Sequence, residues 1–571
     1  MATTTPPAPV STFAPLRVPA YRRLWLASVV SNLGSFLLLV AAPWLMLELT
    51  GSPLMVSLVA TSMALPRLIL TLPAGALADV VDRRLLAMVG NWGSALAVAI
   101  LAVLTWNDSI TAGTLLVLSA ALGTGTALYI PAYQTLIPDL VDEELVPAAI
   151  SLNSAAFNVA RAVGPALGGA FVAAGKADLA FGLDAVSFLV VVIVLVGIPP
   201  VGTADRRGGS MLRTTRVGLR YVRFTRPLLQ IIGAAAAFTL MATSLQTLLP
   251  TVVADDLGME ADGFGLLLGA FGGGALIGAL TRERAHRLVR HLMPLSIVGF
   301  GVLGLGFGLS RIPLLSAVLL AGAGLFWVWT LITMNSTVQM MTPRWVRGRA
   351  VSVYLLSVLG VQPFGAVIAG ALAEAFGSAA TVTALMAVTI VIGVVAFRAD
   401  MPVLGEVSPP ALPEDWVTPP HAEPLDGSPV LVSNTWTIDP ADTEEFFVAL
   451  RRLRRHRLRT GAVRWGVFRH ADEPFRITET FQVHDWDEHL AQHTRIDEDA
   501  AAAIRHARSF DRGGGPHTDH LVGLDLDDAA AHHGAVPMGR HAELHELDGS
   551  VPLSPATDAA SSAPPEDAPV S

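Results

Sequence analysis

The chain has 571 residues, of which 52% are hydrophobic and only 15% are charged. Soluble domains carry about 25% charged residues, so this composition, with a mean hydropathy of +0.54, excludes an ordinary soluble protein. The formal net charge of −9 averages a nearly continuous apolar part and a polar C-terminal part, so it says little about partners. The chain contains no cysteine, which excludes disulfides and thiol catalysis.

Twelve apolar runs lie between residues 24 and 398, and each has about the 20 residues that cross a bilayer or more. The runs cover 24–48, 54–78, 85–105, 111–133, 147–174, 179–199, 228–253, 263–281, 292–310, 313–341, 350–375 and 379–398. The first residues lack a basic segment followed by a short apolar core and a cleavage site, so we predict no cleavable signal peptide.

Basic residues in the loops fix the orientation, because Lys and Arg accumulate on the cytoplasmic side. With a cytoplasmic N-terminus, 20 arginines fall in the cytoplasmic segments, including seven between positions 206 and 226. The opposite loops hold two basic residues, Lys176 and Arg311. The asymmetry predicts twelve spans with both termini in the cytoplasm.

Short motifs repeat at an offset of close to 200 residues. "GAL" at 75–77 recurs at 278–280, and "QTLIP" at 134–138 recurs as "QMMTP" at 339–343. "GPALGG" at 164–169 has a looser counterpart in "QPFGAVIAG" at 362–370. The repeats predict two six-helix halves, an arrangement typical of secondary transporters with a substrate site near the midplane between the halves.

The loop after the second run, "PAGALADVVDRR" at 73–84, carries four charges in six positions. It resembles the cytoplasmic signature loop of the major facilitator superfamily, Gly-x-Leu-Ala-Asp-Arg-x-Gly-Arg-Arg/Lys. The matching residues are Gly75, Leu77, Ala78, Asp79, Arg83 and Arg84, while Val80 and Asp82 depart from the pattern. We expect a conformational latch of Gly75, Asp79, Asp82, Arg83 and Arg84. In it Asp79 would accept hydrogen bonds from a helix N-terminus, and the arginines would pair with acids across the halves.

Four longer stretches extend the resemblance over residues 15–400. They begin "RRLWLASVV", "LPRLILTLP", "IPAYQTLIP" and "LDAVSFLV". They are similar to the enterobactin-exporter-like branch of the superfamily, often labelled transmembrane secretion effectors. This resemblance implies the major facilitator fold, transport by alternating access and proton coupling.

The fifth run contains "GPALGG", which resembles the Gly-Pro-x-x-Gly-Gly motif of exporters in this superfamily. Pro165 removes a backbone donor and can kink the helix. Gly164, Gly168 and Gly169 leave a small face on which another helix can pack and slide. The resemblance favours export over uptake, and the alternative is ordinary helix packing by small residues.

Two arginines, Arg67 and Arg161, fall inside predicted spans, where an ionisable residue is costly and marks function by default. Either could bind an anionic substrate or pair with an acid during transport. The alternative is a structural arginine that binds loose carbonyls beside a proline. Polar neighbours that could join the site, or act as interhelical hydrogen-bond partners, are Asn32, Gln134, Asn153, Asn158, Gln246, Asn335 and Gln362.

Acidic residues in the spans are few, and we expect all of them near the outer face. Glu48 ends the first run, Asp184 opens the sixth and Glu374 closes the eleventh. Proton antiport usually needs a carboxylate that faces both sides in turn, and Asp184 and Glu48 are the candidates. No Gly-x4-Gly-Lys-Ser/Thr pattern is present, so ATP is not the expected energy source.

The C-terminal part alternates strands and helices. Strands are predicted at 429–438, 463–469 and 475–483, and helices at 441–459, 485–494 and 497–509. This βαββα order suggests a ferredoxin-like unit and resembles the dimeric α/β-barrel superfamily, which includes antibiotic-biosynthesis monooxygenases. Asn434, Trp436, His489 and His493 are residue types that those enzymes use. His-x3-His could also bind a metal, but a regulatory or dimerising module is the main interpretation.

The sequence therefore predicts an all-α polytopic membrane protein of about 12 transmembrane helices with a small α+β domain. The predicted segments are an N-terminal segment (1–23), the N-terminal half (24–200), an Arg-rich linker (201–227), the C-terminal half (228–400), a Pro-rich linker (401–428), the ferredoxin-like domain (429–510) and a disordered tail (511–571). We expect a proton-coupled exporter of a siderophore, natural product or drug in the inner membrane.

The expected partners are the substrate, the coupling proton, the bilayer and, through the C-terminal domain, a second copy. No cofactor, metal or nucleic acid is expected. Three alternatives remain open at this point: an uptake symporter, a transporter–enzyme fusion whose C-terminal domain modifies or senses the cargo, and a non-transporting sensor or scaffold.

Overall fold

The computed structural model describes residues 13–199, 219–343, 345–399, 401, 428–513 and 515–523. In this part of the chain twelve helices are long and apolar enough to cross a membrane, as the sequence predicts. They are α1 (Pro19–Thr50), α2 (Pro53–Val80), α3 (Arg83–Trp106), α4 (Ala112–Asp139), α5 (Val146–Ala173), α6 (Ala177–Val196), α7 (Arg226–Thr247), α8 (Ala261–Leu288), α9 (Leu292–Leu309), α10 (Pro313–Met341), α11 (Arg347–Phe376) and α12 (Ser378–Arg398).

Local sequence signals set the helix ends. Gly51 ends α1 in the left-handed conformation (φ 63°), which glycine adopts without steric cost. Ser52 then caps α2 by accepting a hydrogen bond from the Met55 amide at 3.2 Å, and Pro53 follows at the first helical position, where its missing N–H costs nothing. Thr111 and Thr114 form a reciprocal capping box at the start of α4.

The two halves repeat the same helix pairing. In the first half α1 packs on α5, α2 on α4, and α3 on α4 and α6. In the second half α7 packs on α11, α8 on α10, and α9 on α10 and α12. Each pair in one half has its counterpart six helices later, so the repeat read from short motifs corresponds to a structural repeat.

The main contacts between the halves join α5 to α8 and α2 to α11. Their residues, such as Gly169 with Ala261 and Ser52 with Glu374, lie at the end of the bundle whose loops hold only Lys176 and Arg311. We call this end the arginine-poor face and the opposite end the arginine-rich face.

A small antiparallel sheet follows the bundle. Its strands are β1 (Val430–Thr437), β2 (Arg464–Arg469), β3 (Arg476–Val483) and β4 (His517–Val522), in the order β2-β3-β1-β4. Helices α13 (Thr443–Thr460), α14 (Trp486–His493) and α15 (Glu498–Arg508) complete this C-terminal domain. Strand β4 corrects the predicted boundary, because it lies in the segment expected to be a disordered tail.

The helices cover only one face of the sheet. Trp436, Phe446 and Ile477 form the buried core with α13 and α15. On the other face Phe468 is 61% exposed and Leu521 is 53% exposed. This open face is mostly polar, with residues such as Ser433, Thr480 and Asp519, and Phe468 and Leu521 lie on opposite edge strands of the sheet.

Acidification is expected to loosen the C-terminal domain. Burial, followed by the charge of neighbouring groups, lowers the pKa of His489 to about 3 and that of His493 to about 4. Both imidazoles are therefore neutral in the folded domain, and they bind protons more readily after unfolding. Their contribution to stability is present above the ordinary pKa of about 6.5 and is lost as the pH falls towards 4.

Hydrogen exchange of β3 peptides in the full-length protein measures this effect between pH 7.5 and 5, after correction for the intrinsic rate. Protection should fall by up to about 1.4 kcal/mol per pH unit and per histidine. The double substitution His489→Gln and His493→Gln should reduce the slope of the profile, and the remaining slope is expected from His456, whose pKa burial also lowers. Equal pH dependence in the variant would contradict the assignment.

Candidate functional site

A cavity of about 600 Å³ lies between the two halves. Helices α1, α2 and α5 line it from the first half, and α7, α8, α10 and α11 line it from the second half. Its volume falls in the range of small-molecule sites. The two halves thus enclose a cavity of the size of a small organic molecule.

Both intramembrane arginines line this cavity. Arg67 comes from α2, and its Nε donates to the Met63 carbonyl at 2.9 Å, one turn earlier. Arg161 comes from α5 on the same side of the cavity. None of the described lining residues is acidic, and no ion pair involves either arginine in the described part of the chain. The cavity is therefore positively charged.

Aromatic side chains form much of the apolar wall. The ring centre of Trp327 lies 5.4 Å from that of Phe238 and 5.7 Å from that of Phe300. A buried aromatic cluster therefore holds Trp327 in place. Phe264 and Phe157 line the cavity from α8 and α5. The sequence does not single out these aromatic residues, because an aromatic residue in an apolar span has the same pattern whether it faces a cavity or the core.

The predicted polar neighbours divide between the halves. Gln246, Asn335 and Gln362 line the cavity from the second half. Asn32, Gln134, Asn153 and Asn158 are absent from its lining; Gln134 is exposed, and Asn158 donates to the Ser154 carbonyl at 2.9 Å. The sequence places all seven residues in predicted spans or directly at the end of one. Whether a side chain faces the cavity depends on the rotation of its helix about the helix axis, which the sequence does not show.

The exporter-like motif lies where α5 meets two other helices. Gly164 and Gly168 pack on α1, and a Cβ at Gly168 would lie 2.9 Å from the Leu37 carbonyl oxygen. Gly169 faces α8, where a Cβ would lie 2.6 Å from the Ala261 carbonyl oxygen. On α8, a Cβ at Gly265 would lie 2.5 Å from the Pro165 carbonyl oxygen of α5. The motif therefore brings the backbones of the two halves into close contact near the arginine-poor face.

A second contact between the halves at this face uses Glu374. Its carboxylate accepts from the Ser52 hydroxyl at 2.7 Å and from the Leu54 amide at 3.4 Å. Glu374 lies in α11, and its partners lie at the N-terminus of α2, where a negative charge is favoured. This carboxylate thus clamps the two halves together.

Replacing Glu374 with glutamine is expected to shift the population a fewfold towards an open arginine-poor face, because the charge-assisted bonds weaken. The absence of native cysteine allows spin labels at Asn107→Cys and Leu314→Cys, on exposed positions of the two halves. The distance between the two labels has a short value when this face is closed and a longer value when it is open. The longer value should be more populated in Glu374→Gln. Asp178→Asn, in the first turn of α6 at the same face, serves as control, and equal populations in both variants would contradict the clamp.

The signature loop makes its described contacts within the first half. Arg83 pairs with Asp139 at 2.7 Å, and Arg84 donates to the Val196 carbonyl at 2.9 Å. Asp82 caps α3 by accepting from the Arg84 amide at 2.9 Å. The expected pairs across the halves are absent from the described contacts of these arginines in this conformation. Gly75 has open space around it, and the side chain of Asp79 lies outside the described part.

Asp184 lies deeper than its position in the sixth apolar run predicts. Its side chain is fully buried, and a Cβ on Gly34, at the middle of α1, would lie 2.6 Å from its Oδ1. The Ser187 hydroxyl donates to Oδ1 at 3.2 Å. Asp184 therefore opposes the middle of α1 and does not lie close to the arginine-poor face. Glu48 does lie at the end of α1, where it accepts from Trp44 at 2.7 Å.

The C-terminal candidates occupy different environments. Trp436 is buried against Phe446 as a core residue. Asn434 donates to Glu479 at 2.9 Å, and Trp465 donates to the same carboxylate at 2.9 Å. The Nε2 atoms of His489 and His493 are 3.3 Å apart, but no group of three or more metal-ligating side chains occurs among the residues that the structure describes.

Twelve apolar helices in two similar halves around a central cavity define a secondary transporter with the major facilitator architecture. The family model of the transmembrane secretion effectors matches residues 10–525. The chain therefore belongs to the transmembrane secretion effector family.

Two relatives of known function each match about two thirds of the chain. The multidrug efflux pump Tap of Mycolicibacterium fortuitum is 31% identical over 388 residues, which is 65% of this chain and 93% of Tap. The enterobactin exporter EntS of Escherichia coli is 27% identical over 381 residues, 66% of this chain and 90% of EntS. A bacterial homologue of the lysosomal transporter Spinster, solved inward-facing and unoccupied, superimposes with a TM-score of 0.55 at 15% identity and covers 67% of this chain and 96% of its own.

Proposed function

We propose that this transporter exports a small amphipathic anion across the plasma membrane. The observation that carries the proposal is the cavity between the halves, which has two arginines, no described acidic lining residue and an aromatic wall. Arg67 and Arg161 would bind the anionic group, Trp327 and Phe264 would contact the apolar part, and Gln246, Asn335 and Gln362 would supply hydrogen bonds. Siderophores, natural products and drugs include molecules of this kind.

Export by alternating access fits the contacts between the halves. The cytoplasm would lie at the arginine-rich face, with both termini on that side, so the present contacts at the arginine-poor face correspond to an inward-facing state. Gly169 and Glu374 would seal the outer side and separate during export. Gly75, Asp79, Asp82, Arg83 and Arg84 would latch the inner side in the outward-facing state.

Proton antiport is the proposed energy source, with Asp184 as the proton carrier. Its carboxylate packs against Gly34 of α1, and α1 also lines the cavity through Leu39 and Pro43. A rotation of α1 would therefore change both the cavity wall and the surroundings of Asp184. Glu48 is the second candidate, at the outer end of the same helix.

The C-terminal domain is proposed to be a ferredoxin-like module that regulates or dimerises the transporter. The strand order β2-β3-β1-β4 supports the ferredoxin-like assignment. The outer strands β2 and β4 each have one unpaired edge within the described part of the chain, which supports self-association by strand pairing. Conversion of haem or quinones by the full-length protein under oxygen would instead favour a transporter–enzyme fusion.

Proton flux in inside-out vesicles tests the transport proposal. Vesicles are energised, a panel of siderophores and lipophilic drugs is added, and the pH gradient is followed with a fluorescent dye. Anionic members of the panel should collapse the gradient. Asp184→Asn should abolish this collapse while substrate exchange continues, because the carrier no longer releases a proton.

Asp178→Asn is the matched control, since Asp178 lies at the first turn of the same helix, and it should behave as the unmodified protein. Unchanged proton flux in Asp184→Asn would remove Asp184 from the coupling. Collapse by neutral or cationic compounds alone would contradict the anionic substrate class, and import of the panel compounds would favour the uptake symporter.

A further inference from the structure

A second cavity lies outside the transport pathway, between the bundle and the C-terminal domain. It has a volume of about 720 Å³ and is bounded by the helical segment 219–224, the start of α7, the end of α10 and helix α13. Arg226 begins α7 and Met341 ends α10, so this cleft lies at the arginine-rich ends of two membrane-spanning helices.

Arginines dominate the lining of the cleft, and two of them are neutralised. Arg459 binds Asp497 through both carboxylate oxygens, at 2.8 and 2.6 Å, and Arg452 pairs with Asp499. The remaining arginines are Arg223, Arg226 and Arg455, which are exposed and form no ion pair within the described part of the chain. The cleft thus carries three uncompensated positive charges.

His456 adds no charge to the cleft near pH 7. Its side chain is buried at the edge of the cleft, and burial together with the charge of Arg459 lowers its pKa to about 4. It is therefore neutral near pH 7. The local field around the cleft is set by the arginines, which attract anions with tetrahedral oxygens such as phosphate.

Apolar residues extend the cleft towards the membrane. Phe224, Pro227, Leu229 and Met341 line it beside the arginines, and Leu229 is 49% exposed on the surface of the bundle. A phosphate with a hydrocarbon chain fits both parts, because the charge would meet the arginines while the chain would continue along α7. A soluble phosphate would leave the apolar part without a partner.

The arginines that line the cleft belong to two parts of the protein, the helix bundle and the C-terminal domain. Arg226 starts a membrane helix, whereas Arg455 lies on α13 of the C-terminal domain. The domain already contacts the bundle near the cleft, since Arg220 donates to the Ala462 carbonyl at 2.9 Å and the Arg495 guanidinium lies 4.2 Å from the centre of the Trp345 ring. A molecule in the cleft would bridge the same two parts.

We propose that this cleft binds the phosphate headgroup of an anionic phospholipid from the inner leaflet and thereby holds the C-terminal domain on the transporter. Arg223, Arg226 and Arg455 bind the headgroup, and Leu229 and Met341 contact the acyl chain. Negative lipids of the cytoplasmic leaflet are attracted by juxtamembrane arginines at about 1 kcal/mol per residue. The site is independent of the transport cavity.

The test uses the full-length protein in neutral detergent, titrated with phosphatidylglycerol and followed by native mass spectrometry. The double variant Arg226→Gln and Arg455→Gln should bind the lipid about thirtyfold more weakly. The matched control is Arg464→Gln with Arg469→Gln, which removes two exposed arginines from β2 of the same domain and should change the affinity less than twofold.

Three outcomes would overturn the proposal. The first is equal loss of affinity in the two double variants, which would indicate a nonspecific charge effect. The second is equally tight binding of phosphatidylcholine, which carries no net negative charge. The third is occupancy by glycerol phosphate at the same concentration as phosphatidylglycerol with the same arginine dependence, which would identify a soluble phosphate as the ligand. An unchanged gel-filtration profile of each variant shows that folding is intact.

Discussion

Replacing Arg161 with glutamine is expected to reduce export of anionic substrates by about ten- to a hundredfold. Arg161 lines the cavity from α5, and no described acidic residue of the lining competes for its guanidinium. A hydrogen bond to a charged group contributes about 1.5–3 kcal/mol, and each 1.4 kcal/mol corresponds to a factor of ten. The loss should appear as a higher half-saturation concentration in vesicle transport, with neutral substrates little affected.

Two variants distinguish this role from a structural one. Arg161→Lys keeps the charge and should retain part of the transport of anions. Arg398→Gln removes an arginine at the end of α12, outside the cavity, and should leave transport unchanged. Equal loss for anionic and neutral compounds in Arg161→Gln would show that the arginine supports the helix and does not bind substrate.

Replacing Gly169 with valine is expected to reduce transport by more than tenfold. A Cβ at this position would lie 2.6 Å from the Ala261 carbonyl oxygen and 2.9 Å from the Gly265 Cα. These neighbours are backbone atoms of α8 and cannot rotate away as a side chain could. The variant should therefore keep α5 and α8 apart and populate the state that is open at the arginine-poor face.

The control is Gly182→Val on α6, where an added Cβ meets no atom within 4 Å. This variant should transport normally. Spin labels at Asn107→Cys and Leu314→Cys should show longer distances in Gly169→Val than in Gly182→Val. Identical distance distributions, together with normal export, would contradict the sealing role of the glycine.

The depth of Asp184 in the bundle does not follow from the positions of the apolar runs. Hydropathy places this residue near the start of the sixth run, and that position suggests the outer face. The side chain instead lies against Gly34 at the centre of α1, because α1 and α6 pack side by side with an offset along their axes. A single sequence contains no information on this offset, which depends on the packing of small residues.

The sequence does not predict strand β4, for a different reason. "HTDHLV" at 517–522 is polar and lacks alternation, and all six of its positions are exposed or half-buried. Edge strands pair on one side only, so their sequence is weakly constrained. The main-chain pairing with β1 makes this segment a strand, and pairing of this kind depends on a partner more than 80 residues away.

The sequence by itself determined the twelve spans, their repeat in two halves, the small residues of the Gly-Pro-x-x-Gly-Gly motif and the presence of two intramembrane arginines. These features follow from run length, local spacing and the cost of charge in the membrane. Only the tertiary structure decided that Arg67 and Arg161 share one cavity, that Gly169 contacts the other half and that Glu374 clamps it. Such relations depend on how each helix is rotated and offset against its neighbours, and those angles arise from packing between residues far apart in the chain.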